Sequence, residues 1–328
     1  MQPVEFEIEE LFHENILSVV EREKTTFDRL VSPFEKSLVL VGAGSLGKQV
    51  LSCLRKDGIE PVAFADNSLS LQGKYVDGVQ VLSRKQAAEK YGSSAAFVVT
   101  IWNTDHSFIE TRKELTEINC KKVVSAIPLR WKYSKSLLPF FWLDVPSKTC
   151  ENASLIKAAF SLWADEFSRK EYIAQLKFRI HGEFDSLSEP VPQESYFPDD
   201  LFDLLPDEKF VDCGAYDGVT IKHFLKRQKE FTGKVVAYEP DPKNYSLLKQ
   251  YVANLDESIR NNVISLPYAV GVRSEKVHFI ATGTMGSTIS NEGETEVTCV
   301  TLDENLGEIH TMPTYINPDS AIGQISIA

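Results

Sequence analysis

The sequence predicts an α/β protein built from two doubly wound, Rossmann-like parallel-sheet domains joined by a helical connector. Two observations carry this expectation. From residue 37 to residue 127, short apolar runs of strand length alternate with longer amphipathic segments, the pattern of a parallel sheet covered by helices. A unit of strand, glycine turn and helix also occurs twice, near Gly42 and near Gly214, and in each case the next strand ends on an acid, Asp66 and Glu239. Glycines at such turns let the backbone bend sharply off the strand and pass close to a ligand.

The expected boundaries are an N-terminal helix over 1–36, a nucleotide-binding domain over 37–135, a helical and acidic connector over 136–208 and a second domain over 209–328. The segment Glu5 to Leu30 reads as a helix, with Leu11, Ile16, Val19 and Val20 among charges, ended by Ser32-Pro33. Strands follow at Leu38–Val41, Pro61–Ala65, Ala96–Ile101 and Lys122–Ala126, separated by helices at Lys48–Lys56, Arg84–Tyr91 and Phe108–Ile118. Trp131, Tyr133, Phe140, Phe141 and Trp142 form an aromatic stretch around Pro139, read as packing between domains, with a carbohydrate platform or oligomer interface as alternatives. Asn152 to Ile180 reads as one or two amphipathic helices with Ile156, Phe160, Trp163 and Phe167 on one face. Residues 182–208 then hold no Lys or Arg, nine Asp or Glu and four prolines, which reads as a stiff acidic linker.

Length and charge limit the function classes. A chain of 328 residues with 43% hydrophobic content can bury two cores. Its formal net charge of −12, with no dense basic cluster, argues against nucleic acid as a partner. No apolar run approaches the roughly 18 residues of a spanning helix and the acidic start lacks the features of a signal peptide, so a cytosolic location is expected. The five cysteines are widely spaced without a Cys-x-x-Cys pair, implying neither a disulfide framework nor a zinc cluster.

The first glycine turn reads Gly42-Ala43-Gly44-Ser45-Leu46-Gly47, and Asp66 ends the next strand 19 residues after Gly47. That spacing fits a dinucleotide fingerprint, in which loop amides and the helix N-terminus hold a phosphate and Asp66 accepts from a ribose, favouring NAD over NADP. Residues 39–83, with Ala65-Asp66-Asn67, Gly73 and Asp77-Gly78-Val79, also resemble the N-terminal nucleotide-sugar-binding domain of bacterial sugar acyltransferases, which implies a UDP-sugar in the same loop. A domain that has lost its ligand and serves as a scaffold or oligomerisation unit is the third reading. Trp102 and His106, at the carboxyl end of the strand from Ala96, are candidates for stacking and for acid or base work, against the plainer reading of a surface loop.

The second turn carries more information. Strand Phe210–Asp212 runs into Asp212-x-Gly214-Ala215-Tyr216-x-Gly218, and the next strand ends Tyr238-Glu239-Pro240-Asp241-Pro242. A helix from Lys243 to Leu255 follows, then a strand ending Pro267-Tyr268-Ala269-Val270-Gly271, a Gly286-Ser287-Thr288 turn, and Val297 to Asp303 ending Thr301-Leu302-Asp303. In this order the segments of residues 209–316 resemble the FkbM-type methyltransferases. The resemblance implies an S-adenosylmethionine site formed by Asp212, Gly214, Ala215, Tyr216, Gly218, Glu239 and Pro240, with Tyr268 and Ala269 beside the adenine. It implies methylation of a hydroxyl on a sugar, a glycan or another small molecule.

After Pro313-Thr314-Tyr315-Ile316 the family pattern continues with a lysine, an aspartate and a Glu-Gly pair, whereas this chain reads Asn317-Pro318-Asp319-Ser320-Ala321-Ile322-Gly323. The expectation is an incomplete class I methyltransferase fold, shortened at its C-terminus. Association with a second copy, or instability, would follow from an unpaired strand. No general base is assigned: His223, His278 and Asp303 are read as structural. Two other functions stay open, an NAD-dependent oxidoreductase or nucleotide-sugar binder acting through the first domain, and a non-catalytic scaffold.

Overall fold

The computed structural model describes residues 4–101, 106–138, 143–189, 196–197, 203–284, 286–308 and 315–317. The chain divides into two compact units, Met1–Glu189 and Pro190–Ala328.

In the first unit the strands are β1 (Leu38–Val41), β2 (Ala63–Ala65), β3 (Tyr75–Val76), β4 (Val79–Leu82), β5 (Ala96–Val99) and β6 (Val123–Ser125). They form one sheet in the order β3-β4-β2-β1-β5-β6. All pairings are parallel except the hairpin of β3 with β4, whose turn places Asp77 and Gly78 at positive φ. Chain order reverses at β1, which has β2 on one side and β5 on the other. Alternation along β1 divides the core in two. Leu38 and Leu40 pack with Leu46, Val50 and Leu54 of helix Ser45–Lys56, while Val39 and Val41 pack with Ala87, Ala88 and Leu115 of the helices Arg84–Tyr91 and Phe108–Glu117. Both faces of the sheet are therefore covered, as the apolar strand sequences require.

The N-terminal segment forms two helices where the sequence suggests one. Asn15 interrupts it, with extended φ and ψ of −63° and 138°, and its Oδ1 accepts from Leu17 N at 2.9 Å to start helix Ile16–Val31 after Val4–Leu11. A similar break corrects the long amphipathic face. The helices there are Pro146–Glu151, Ala153–Leu162 and Glu166–His181, and Asp165 caps the last of them by accepting from Ser168 N. That cap resets the helical phase, so Phe160 is buried against Val4, Ile8 and Leu11 but Phe167 is 72% exposed. Trp131 is buried within the first unit against Ile127, Leu143 and Phe178. Pro139, Phe140, Phe141 and Trp142 lie outside the described residues.

In the second unit the strands are β7 (Lys209–Cys213), β8 (Lys234–Tyr238), β9 (Val263–Leu266), β10 (Tyr268–Val270), β11 (Glu275–Ile280), β12 (Thr288–Ile289), β13 (Thr295–Val300) and β14 (Tyr315–Asn317). One sheet is wholly parallel, in the order β14-β7-β8-β9, and its chain order reverses at β7, which has β8 on one side and β14 on the other. One of its faces is covered by an aromatic cluster in which Phe210 stacks on Phe224 at 4.7 Å between ring centroids, with Phe197 edge-on to both. Phe197 thus places part of the acidic linker in the core of the second unit. The opposite face packs Val211, Cys213 and Tyr238 against Val300 and Leu306.

The remaining strands form a second sheet in the order β10-β13-β11-β12. The strand expected to end at Gly271 is therefore two, divided at Pro267, which has no N–H for the ladder. The strand expected to reach Asp303 stops at Val300. Thr301 Oγ1 accepts from Glu304 N and helix Leu302–Glu308 begins.

Candidate functional site

The second unit's site grows from the end of β7. Gly214 and Gly218 both have φ of +92°, and Tyr216 between them has φ of 50°. Three left-handed residues in five fold the chain back on itself before helix Val219–Arg227. Gly214 N and Ala215 N both donate to Tyr238 O, at 2.8 and 2.9 Å, so the turn is tied to the end of β8. Gly218 occupies the N-cap of the helix and offers no side-chain acceptor. A Cβ there would lie 2.5 Å from Cδ1 of Tyr251, which covers the turn from helix Pro242–Ala253.

Glu239 is the residue after β8 and is 5% exposed. Its Oε2 accepts from Tyr216 N at 2.8 Å and its Oε1 from Asp241 N at 2.9 Å. Burial pushes its carboxyl up to about 7, partly offset by those two amides and raised further by the Asp241 charge. With one amide on each oxygen, a carboxylate keeps lone pairs for the two hydroxyls of a ribose diol. The arrangement fits the nucleoside half of S-adenosylmethionine, while at the start of helix Val219–Arg227 Asp217 Oδ1 accepts from Val219 N at 3.1 Å.

Of the residues the sequence singled out, the structure brings Asp212, Gly214, Ala215, Tyr216, Gly218, Glu239 and Pro240 together at the carboxyl ends of β7 and β8. Asp212 is completely buried within β7, opposite Ala237. Tyr268 and Ala269 lie on β10, in the other sheet. Tyr268 packs with Val300 and Leu302, and Ala269 with Phe279 and Val297. Two residues beside the glycine turn were not singled out, Asp241 and Asn244. Asp241, 1% exposed, caps helix Pro242–Ala253 through Oδ1, which accepts from Lys243 N at 2.9 Å, while its Oδ2 accepts from Gly283 N at 2.8 Å and Ser287 Oγ at 2.6 Å. Asn244 Nδ2 donates to Thr284 O at 3.2 Å. The cap is signalled in sequence by an aspartate before Pro242. Its bonds to Gly283 and Ser287, across some forty residues, carry no local signal.

The first unit repeats the plan. Gly42, at φ of +107°, donates from its N–H to Ala65 O at 2.8 Å, Ala43 N donates to Asp66 Oδ2 at 2.8 Å, and Ser68 N donates to Asp66 Oδ1 at 2.8 Å. Thr100 Oγ1 donates to Gly42 O at 2.9 Å and holds the turn against the end of β5. Gly44 is the N-cap of helix Ser45–Lys56, which begins Ser45-Leu46-Gly47, and a Cβ on Gly47 would stand 2.1 Å from Gly42 O. His106 is half-buried, its Nε2 2.9 Å from Thr111 Oγ1, and burial, followed by the Arg84 charge, lowers its pKa. Trp102, Asn103, Thr104 and Asp105 lie outside the described residues.

His278 Nδ1 is 3.0 Å from Gly293 O, a structural bond, and Asp303 lies in the first turn of its helix. Burial pushes the Cys213 thiol up to about 12 and the Cys120 thiol up to about 11, so neither is a nucleophile at neutral pH. Among the described residues no cluster of His, Cys, Asp or Glu could hold a metal ion, and no helix is long and apolar enough to cross a membrane.

A parallel sheet reversing at β7, with a left-handed glycine turn on β7 and a buried acid on β8, defines the second unit as a doubly wound α/β domain of the Rossmann-like class. Residues 212–314 match the family model of the methyltransferase FkbM domain. A search of curated proteins finds no match. Among solved structures, the chain is similar to a crystal structure of a methyltransferase FkbM from Methylobacillus flagellatus KT, with 16% identity, a TM-score of 0.68, and coverage of 92% of this chain and 79% of that one. At that identity the likeness is one of fold.

Proposed function

We propose that the second unit is an S-adenosylmethionine-dependent O-methyltransferase acting on a hydroxyl of a sugar, a glycan or another small molecule. The observation that carries this reading is Glu239, buried at the strand end yet holding its carboxylate toward the glycine turn through Tyr216 N and Asp241 N. The cofactor, when bound, supplies an electrophilic sulfonium methyl. Glu239 would hold the ribose diol, and the Gly214–Gly218 turn would leave room for the amino-acid arm. Orienting the acceptor oxygen in line with the methyl group then supplies much of the rate.

The test is a calorimetric titration with S-adenosylmethionine, followed by transfer of labelled methyl to a panel of sugars. Saturable binding in the wild type, lost in Glu239→Ala with folding intact, is the expected result. A folded wild type that does not bind would overturn the reading.

A second site is favoured by one specific observation. Asp66 makes the same pair of bonds as Glu239, one to the turn amide and one to the amide two residues on. We infer that the first unit holds a ribose-bearing nucleotide, NAD or a nucleotide sugar, at Gly42, Gly44 and Asp66. Titration with NAD and with UDP-glucose, repeated on Asp66→Ala, tests this independently of methyl transfer.

A further inference from the structure

Asp241 does more than start a helix. Its two carboxylate oxygens face different parts of the chain: Oδ1 accepts from Lys243 N and Asn244 N, at the beginning of helix Pro242–Ala253, and Oδ2 accepts from Gly283 N and Ser287 Oγ, in the connection between β11 and β12. Asn244 Nδ2 adds a third bond to that connection, at Thr284 O. The Lys243 side chain runs across Gly283, where a Cβ would lie 2.4 Å from Lys243 Cδ. Asp241 N meanwhile donates to Glu239 Oε1. One residue thus links the acid at the tip of β8 to a segment of the other sheet.

The arrangement is costly unless it serves a purpose. Asp241 is 1% exposed, and burial by itself would raise its pKa. The Ser287 hydroxyl, then the amides of Gly283, Asn244 and Lys243, outweigh that and hold the carboxyl below its ordinary value. Asn244 is 2% exposed, and its Oδ1 has no partner among the described residues, leaving a buried acceptor open beside the clasp. The clasped segment carries hydroxyls already organised among themselves, Thr282 Oγ1 lying 2.7 Å from Thr284 Oγ1 and 3.0 Å from Ser287 Oγ.

We propose that Asp241 is a positioning residue that clasps Thr282–Thr284 and Ser287 against the tip of β8, making this segment a wall of the nucleoside end of the Glu239 site. This rests on the cofactor reading of that site. Asp241→Asn keeps an oxygen for the helix cap but turns an NH2 group toward the Gly283 N–H, so it releases the wall selectively. Ser287→Ala removes one bond of the clasp from the other side, and Ser287→Thr retains the hydroxyl.

The experiment pairs hydrogen exchange at the Gly283 amide with calorimetric titration of the full chain by S-adenosylmethionine. In Asp241→Asn and Ser287→Ala, exchange at Gly283 should speed up about tenfold and affinity should fall about tenfold, with Ser287→Thr close to the wild type. Faster exchange at Gly283 with cofactor affinity within twofold of wild type would overturn the proposal. So would unchanged exchange in Ser287→Ala, the variant that keeps the helix cap should Asp241→Asn fail to fold. A wild type that does not bind cofactor sinks the methyltransferase reading instead, and with it the role of the wall, whereas the exchange result still reports whether the clasp exists.

Discussion

Tyr216 N donates to Glu239 Oε2 at 2.8 Å across 23 residues, and Ala43 N donates to Asp66 Oδ2 at the same distance across the same 23 residues. In both units the preceding glycine, Gly214 or Gly42, donates to the carbonyl of the residue before the acid. The shared geometry follows from its parts. A parallel strand, helix and strand of standard length bring the second strand's tip beside the first turn, and an acid there is the nearest acceptor for an amide the turn leaves unpaired. The consequences differ with burial: Asp66 is half-buried, whereas Glu239 is 5% exposed.

Replacing Glu239 by Gln keeps the shape but points an NH2 group at one of the two amides it now accepts from. The expected cost is about 1–3 kcal/mol of stability, from one unsatisfied buried N–H. S-adenosylmethionine affinity should drop at least tenfold. Chemical denaturation and calorimetry of the same sample measure the two effects separately.

The pH dependence of this site has a defined sign. Glu239 has its pKa raised from 4.5 to about 7, so between those values the folded chain holds a proton that the unfolded chain releases. Its contribution to stability is present in full below about 4.5 and is lost as pH rises through 7. Cofactor affinity should move the other way, because the diol needs the carboxylate form, strengthening about tenfold from pH 6 to pH 8. Titrations across that range check this, and Glu239→Gln should remove both dependences.

The glycines of the first turn are not equivalent. A Cβ on Gly44 meets nothing within 4 Å, while one on Gly47 would stand 2.1 Å from a backbone oxygen. Gly44→Ala should therefore change stability by about 1 kcal/mol or less, the ordinary loss of a poor N-cap. Gly47→Ala must separate helix from strand, and thermal unfolding of the first unit should fall by several degrees or the variant should fail to fold.

In the second unit, Gly218→Ala combines a left-handed φ of +92° with a Cβ 2.5 Å from the Tyr251 ring. The backbone part costs about 1–2 kcal/mol. The ring can be removed, so Gly218→Ala combined with Tyr251→Ala should lose less than the sum of the two single changes. A double-mutant cycle on unfolding free energy shows whether ring contact or backbone strain dominates.

Much of this was legible in the residues alone. The alternation of apolar strands and helices, the glycine turns at Gly42 and Gly214, and the acids at Asp66 and Glu239 are local in sequence, and local steric and hydrogen-bond rules suffice to read them. The helix break at Asn15 was missed, and that at Asp165 was left open, because apolar spacing continues across both, although each is an ordinary cap. Tyr268, which the family resemblance sets beside the adenine, shares a packed cluster with Tyr238 at the end of β8, but its assignment to a separate sheet was not legible. The proline ends the parallel ladder and sends the next three residues to another sheet.

By itself, the sequence determined the fold class, the order of the elements and the two strand-end acids, since backbone preferences and burial periodicity act over a few residues. Only the tertiary structure decided which distant segment closes on the acid. The clasp of Asp241 on Gly283 and Ser287 joins residues 42 and 46 positions apart, and the burial that pushes Glu239 up to about 7 comes from neighbours packed around it. Such contacts depend on how two sheets meet in space, and no spacing along the chain encodes that meeting.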